Sequence, residues 1–460
     1  MSFLESLQML SPGAIFCLLI ALFFAFAFEF INGFHDTANA VATVIYTRTL
    51  KAVPAVLYSG FMNFLGVILG GTAVAFGIVN LLPVELLLDR SSNAALVMVL
   101  SLLIAGVIWN LGTWYLGLPV SSSHTLIGSI LGVGLANSLV SGQGLSGINW
   151  PKTMEVGLAL LVSPLFGFLA AASLLLLMRL IVRDPRLYQP PHHSDHPPGW
   201  IRAVLLATCG GVSFAHGSND GQKGMGLILL VLIGFMPFTY ALNTSQGDLA
   251  ARSHEATLAV QKVAEEHQLN LPENLRKQLA TIQRITADRQ SFDDLEPEER
   301  WEVRMAIFKS SKDLAKLATG DEKATKELKP LIKTFKSGIE FVPLWVVIGT
   351  ALALGIGTTV GYQRIVVTVA EKIGKTHLTY AQGAVAELVA SSTITVAAYT
   401  GMPVSTTHVL SSGVAGTMAA NGSGLQGATV RRIGLAWLLT LPVCMLLSGF
   451  FFILGNALFK

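Results

Sequence analysis

Charged side chains are scarce in this 460-residue chain, where Asp, Glu, Lys and Arg make up 13% of the residues; an ordinary soluble domain carries about twice that share. Of these 59 charges, 33 fall within residues 241–340, leaving 26 for the other 360 positions. That distribution excludes a water-soluble body and isolates one charged insert. The three cysteines, Cys17, Cys209 and Cys444, are odd in number and lie singly in apolar stretches, which excludes both a disulfide framework and a cysteine metal cluster. A net charge of +3 without a basic stripe argues against nucleic-acid binding. No GxxxxGK[ST] loop is present; GSNDGQKG at 217–224 lacks both the spacing and a preceding strand, so nucleotide binding is set aside. The head before Pro12 has Glu5 but no Lys or Arg, unlike a cleaved signal peptide, and the first apolar run is expected to stay in the mature protein.

What the chain does have is apolar length. Hydrophobic residues make up 52% of it, and the mean hydropathy is +0.59. Stretches at 13–47, 53–81, 94–116, 120–140, 154–178, 201–241, 341–360, 379–399, 404–420 and 433–458 each approach or exceed what a roughly 30 Å hydrocarbon layer requires. The expected fold is an all-α polytopic membrane protein of about 10–12 transmembrane or re-entrant helices in a lipid bilayer. The segments 13–47 and 201–241 are too long for one crossing and carry polar, Gly-containing clusters near their middles; they are expected to be helices broken at the midplane. Arg48 and Lys51, Arg179 to Arg202, Arg364 to Lys375, and Arg431 with Arg432 mark one set of loops as cytoplasmic. That count places both termini and the 242–340 insert outside. The insert is expected to be a helical cap or spacer.

Internal duplication organises the rest. GLPVSSSH at 117–124 returns as GMPVSTTH at 401–408, an offset of 284, and GFHDTAN at 33–39 returns as GSNDGQK at 217–223, an offset of 184. The 100-residue difference is the length of the insert. Residues 1–180 therefore read as a first repeat, 181–200 as a basic connecting loop, and 201–241 with 341–460 as a second repeat interrupted by 242–340. Five segments per copy is an odd number, so the copies should be inverted relative to each other, with sites where broken helices meet.

Asp36 and Asp220 occupy equivalent positions in the overlong segments, where an ionisable carboxylate is costly and points to function. Asn32, His35 and Asn39 flank the first; Ser213, His216, Ser218 and Asn219 flank the second. Such oxygen-rich clusters suit a hard cation such as Na⁺ or a proton relay. In the GxPVS[ST][ST]H segments, Pro119 and Pro403 should interrupt the helix. The hydroxyls of Ser121, Ser122, Ser123, Ser405, Thr406 and Thr407 would then sit at helix N-termini, where anions bind. N-capping accounts for one hydroxyl per helix, not for three in a row, twice. His124 and His408 close the motifs with open roles, and Glu387, Asn63 and Asn110 are isolated polar residues in apolar runs, suited to interhelix hydrogen bonds or to coupling. His192, His193 and His196 lie in a Pro-rich loop without matching cysteines and are taken as solvated.

Through INGFHDTANAVATVIYTR at 31–48, LPVSSSHTLIG at 118–128, FAHGSNDGQKG at 214–224 and TGMPVSTTHVLSS at 400–412, the chain resembles the Pit inorganic phosphate transporters, the bacterial low-affinity type in particular. The resemblance implies a symporter in the bacterial inner membrane that imports phosphate with protons, with the phosphate moving as a neutral complex of a co-transported divalent metal; sodium coupling is the alternative. It needs no resident cofactor. It assigns cation coupling to the two Asp motifs (Asp36, Asn39, Asn219, Asp220) and phosphate binding to the two hydroxyl motifs; Lys223, at the repeat position of Asn39, joins the coupling group as a tethered cation beside Asp220. Glu387 matches a glutamate implicated in transport, while Asn63 stands where relatives have its partner. The second motif departs from the family's GANDVAN at Gln222 and Lys223. A homo-oligomer is compatible with these features. An intramembrane serine hydrolase would also use Ser, His and Asp, but it needs one nucleophile and one base, not the same hydroxyls twice. A passive anion channel gives the carboxylates no task.

Overall fold

The computed structural model describes residues 7–8, 10–81, 94–142, 144–145, 148, 150–190, 197–237, 239–317 and 322–458; the His192, His193 and His196 cluster lies outside them, as do the side chains of residues 37–39, Asn39 included. In lipid, backbone N–H and C=O groups find no water, so the segments close their hydrogen bonds internally as helices. Among the described residues no named strand forms, only an isolated bridge between Gly374 and Leu425. The first half comprises α1 (Pro12–Tyr46), α2 (Ala52–Leu69), α3 (Ala73–Val79), α4 (Ala94–Tyr115), α5 (Ser122–Val140) and α6 (Trp150–Ile181). Then follow α7 (Gly199–Phe235), the insert helices α8 (Leu249–Glu266), α9 (Glu273–Thr286), α10 (Pro297–Leu317) and α11 (Glu322–Ile339), and finally α12 (Leu344–Thr358), α13 (Gln363–Glu371), α14 (Tyr380–Thr400), α15 (Thr406–Asn421) and α16 (Gly427–Leu458).

Among the described residues six helices are long and apolar enough to cross a membrane, or seven if one bent pair counts as a span. The ten stretches expected to cross also include α12 and α15, of 15 and 16 residues, and the polar-studded α7 and α14. The outer helices α6 and α16 turn Leu161, Leu169, Leu446 and Phe450 outward, an apolar exterior in place of the charged face of a soluble helix.

The expected breaks in 13–47 and 201–241 are absent: α1 and α7 run unbroken for 35 and 37 residues through their polar clusters. Neither helix holds a proline inside it to interrupt its ladder, Pro237 lying just past the end of α7, and Asp36 and His216 are met by side chains of neighbouring helices. The expected breaks at the hydroxyl motifs are present. The chain leaves α4 through Gly117 (φ 66°) and α14 through Gly401 (φ 72°), passes Pro119 or Pro403, and re-enters helix at Ser122 or Thr406.

The chain divides into two compact units. One holds Leu232–Val342 with the N-terminal segment to Leu18; there α8 to α11 pack around Leu279, Ile282, Val303, Ile307, Leu328 and Phe335. Arg304 is buried in this unit, donating to the carbonyls of Ala241 (2.5 Å) and Tyr240 (3.5 Å); burial pulls its pKa down to about 10. The other unit is Leu19–Val231 with Pro343–Lys460. Its packing crosses between the sequence copies: α15 lies along α6 and α5 along α16, while α14 and α4 contact the same partners, α6 and α16 respectively. The helices of the aspartate motifs cross likewise. A Cβ at Gly33 on α1 would stand 2.8 Å from Thr358 N on α12, and one at Gly217 on α7 would stand 2.8 Å from Asn63 Cα on α2. Only a glycine allows backbones to come this close.

Candidate functional site

The unbroken α1 and α7 bring Asp36 and Asp220 together around one histidine. His216 Nδ1 donates to Asn63 Oδ1 at 2.8 Å, while the Asn63 amide donates to Thr358 Oγ1 at 2.9 Å. That pairing fixes the ring and turns Nε2 toward both carboxylates, 3.7 Å from Asp36 Oδ2 and 3.4 Å from Asp220 Oδ2. Asp36, His216 and Asp220 each offer an atom within 4.8 Å of the others, and all three are buried. Neither His216 Nε2 nor Asp220 Oδ2 has a hydrogen-bond partner among the described residues. Two carboxylates facing one imidazole nitrogen need a positive charge between them: a second proton on the ring, or a bound cation.

The hydroxyl motifs reach these carboxylates across the copies. Thr406 Oγ1 donates to Asp36 Oδ2 at 3.3 Å and Thr407 Oγ1 donates to Asp36 Oδ1, so the second copy's hydroxyls serve the first copy's aspartate. His35 Nδ1 adds a contact to Asp36 Oδ1 at 3.5 Å. At the other aspartate, Lys223 Nζ donates to Asp220 Oδ1 at 2.5 Å, to Ser123 Oγ at 2.6 Å and to Val404 O at 2.8 Å. The ammonium's three donors are thus all used. Ser123 in turn donates to Val404 O at 3.0 Å, joining the first hydroxyl motif to the second. Asn219 Nδ2 reaches Met402 O at 3.3 Å on the same approach.

The six hydroxyls divide by task. Ser121 and Ser405 accept from the backbone N–H of His124 and His408 at 3.2 and 3.1 Å, which is N-capping. Ser123, Thr406 and Thr407 serve the charged cluster, and Ser122 Oγ is buried without a partner among the described residues. The His124 and His408 rings lie 4.6 Å apart, tilted by 35°, His408 stacks on Trp437 at 4.0 Å, and His124 Nδ1 and His408 Nε2 make no hydrogen bond among the described residues. Beside Asp36 is a cavity of ≈ 10 Å³ lined by Asn63, Ser213, His216 and Thr406 among others, about the space of one water. Phosphate needs more space than this cavity offers.

Glu387 on α14 is fully buried; Thr208 on α7 donates to its Oε2 at 2.6 Å, and Thr43 on α1 donates to Oε1. It therefore ties α14 to both aspartate helices. A further acid, Glu29 on α1, stands outside the residues expected in the site and is fully buried. A lone carboxylate in the apolar run Ala21–Phe34 was the available signal.

The chain is similar to known proteins along nearly its whole length. Residues 32–448 match the model of the Phosphate transporter family. It is 43% identical to the low-affinity inorganic phosphate transporter PitA of Escherichia coli strain K12, covering 94% of this chain and 95% of that one. It shares 43% identity with the low-affinity inorganic phosphate transporter of Buchnera aphidicola subsp. Acyrthosiphon pisum, with the same coverage, and 28% with a probable one of Bacillus subtilis, covering 95% and 96%. Its fold is similar to that of a solved sodium-dependent phosphate transporter, with a TM-score of 0.57 and 21% identity over 96% of this chain and 99% of that one.

Proposed function

The chain belongs to the phosphate transporter family, and from that premise we propose that it imports inorganic phosphate across the bacterial cytoplasmic membrane by proton symport. That it is a multi-pass membrane protein and a phosphate transporter, not an enzyme, follows from the family and the apolar helices. The serine hydrolase reading finds no support, because among the described residues no motif serine donates to a histidine ring.

The observation that carries the proposal is the convergence of Asp36, Asp220 and His216 with hydroxyls of both repeats. A site built jointly by two sequence copies is what alternating access requires, since rocking one repeat against the other opens it to either side. A cation entering between Asp36, His216 and Asp220 meets two carboxylate oxygens and one imidazole nitrogen, a donor set fitting a divalent transition metal. It would be cargo, travelling with the phosphate as a neutral complex. The anion is assigned to the N-termini of α5 and α15, where Ser122 Oγ is unclaimed and the helix dipoles favour negative charge. Once phosphate approaches, Thr406 and Thr407 can turn from Asp36 to it. Inversion of the repeats is part of this reading.

Lys223 supports protons over sodium. Its ammonium stands against Asp220 Oδ1, supplying the positive charge that a sodium ion would otherwise bring. Sodium coupling is the second reading, because the solved protein of similar fold is a sodium-dependent transporter. Radiolabelled phosphate uptake into proteoliposomes separates them: an inward proton gradient should drive accumulation at zero sodium, and added Zn²⁺ or Mn²⁺ should raise it. Accumulation that follows a sodium gradient and ignores pH would overturn proton coupling.

A further inference from the structure

Two buried charged residues on the aspartate helices α1 and α7 break the symmetry of the repeats. With the offset of 184, Lys223 stands where the first copy has Asn39, and Glu29 stands where the second copy has Ser213. One extra base and one extra acid have therefore entered opposite copies. The fold brings them together: Glu29 on α1 packs so tightly on Gly224 of α7 that a Cβ there would collide with the Glu29 carboxyl carbon, and Gly224 directly follows Lys223. Lys223, His216 and Asp220 are the charged or titratable groups within electrostatic reach of Glu29. The Asn32 amide, one turn along α1, lies near it without hydrogen-bond geometry; both Glu29 carboxylate oxygens are buried and lack partners among the described residues.

A buried acid left unsatisfied is expensive, so its presence beside a lysine whose three donors are committed elsewhere needs a second state to explain it. We propose that Glu29 is the alternate ion-pair partner of Lys223, receiving the ammonium when Asp220 turns to the arriving cation. In the conformation described here the ammonium neutralises Asp220, so the site is balanced while empty. When a cation enters between Asp36, His216 and Asp220, Lys223 becomes surplus positive charge beside it. Moving the ammonium to Glu29, which gives up the proton it holds while the site is empty, restores neutrality at both ends and frees Ser123 Oγ at the start of α5 and Val404 O just before α15. Cation loading is thereby tied to a rearrangement of both hydroxyl motifs. Glu29 is a positioning residue in this scheme, acting through Lys223 and touching neither cargo. The inference rests on the coupling role given above to the aspartates.

The test compares Glu29→Gln, Glu29→Asp, Lys223→Gln and the double variant Glu29→Gln/Lys223→Gln as full-length protein, by ³²P-phosphate uptake into proteoliposomes and by melting temperature in detergent. Glu29→Gln should lower gradient-driven uptake at least tenfold without lowering the melting temperature, because the carboxylate supports nothing in the empty state; Glu29→Asp should fall between it and the parent. The double variant should transport no worse than Lys223→Gln alone, within about twofold, since without the ammonium Glu29 has nothing to receive. Unchanged uptake in Glu29→Gln would overturn the inference. So would losses that multiply in the double variant, the signature of independent sites, or a melting-temperature drop that parallels the uptake loss in both Glu29 variants. If the parent itself responds to no cation gradient, the coupling role of the aspartates fails instead, and the two failures are distinguishable.

Discussion

Replacing Lys223 with Asn tests the electrostatics of the site most directly. The change removes an ammonium that is 2% exposed and makes three hydrogen bonds of 2.5–2.8 Å, to Asp220, Ser123 and Val404 O. Breaking a buried ion pair by removing one partner costs about 3–5 kcal/mol, because the other charge stays buried and uncompensated. At about 1.4 kcal/mol per decade that is roughly two to three and a half decades in any equilibrium that depends on the pair. Among the described residues Asp220 then retains only the His216 contact at 3.4 Å. Proton-driven uptake by Lys223→Asn should therefore fall on the order of a hundredfold. The vacated place is ringed by Asp220 Oδ1, Ser123 Oγ and Val404 O, all oxygen ligands of the kind a hard cation prefers. Sodium should consequently raise uptake by the variant and leave the parent unchanged. The assay is initial-rate phosphate uptake in proteoliposomes with proton and sodium gradients imposed separately. An Asn variant with the parent's rate, pH profile and indifference to sodium would refute the tethered-cation argument while leaving the family assignment intact.

Ser122→Ala and Thr406→Ala, measured singly, should each lower phosphate uptake at least tenfold with normal membrane insertion; parental transport by either removes that residue from the shared site. Deleting most of 250–335 and closing the gap with a flexible linker should leave measurable uptake, because α8 to α11 have their own apolar core and no counterpart in the first repeat; complete loss in a well-inserted deletion protein would make the insert part of the transport unit. Glu387→Gln keeps the shape but gives one of the two threonine hydroxyls an N–H₂ to face in place of an acceptor, a cost of about 1–3 kcal/mol. It should slow uptake with a lower melting temperature, and a variant as stable and fast as the parent would show that the tie is idle.

The membrane class, the charged insert and the duplicated motifs were legible in the sequence because each leaves a one-dimensional trace. Lipid demands long apolar runs, a soluble bundle demands charge, and a repeat is an offset. Pro119 and Pro403 announced the two helix breaks for a local reason, the missing N–H. Asp36 and Asp220 stood out because an acid in an apolar run is costly wherever the helix packs. The clusters in 13–47 and 201–241 misled as breaks: polarity along a chain does not say whether another helix will meet it, and here α1 and α7 stay whole. Only the tertiary structure decided that the copies serve each other, Thr406 and Thr407 turning to Asp36 and Ser123 to Lys223. It also decided that Ser121 and Ser405 cap their helices while Ser122 stays free, and that Glu29 lies against Gly224. Apart from the two local caps, these pairings join residues a hundred or more positions apart, and the approach of two helices is set by the packing of all their neighbours, which no local pattern encodes.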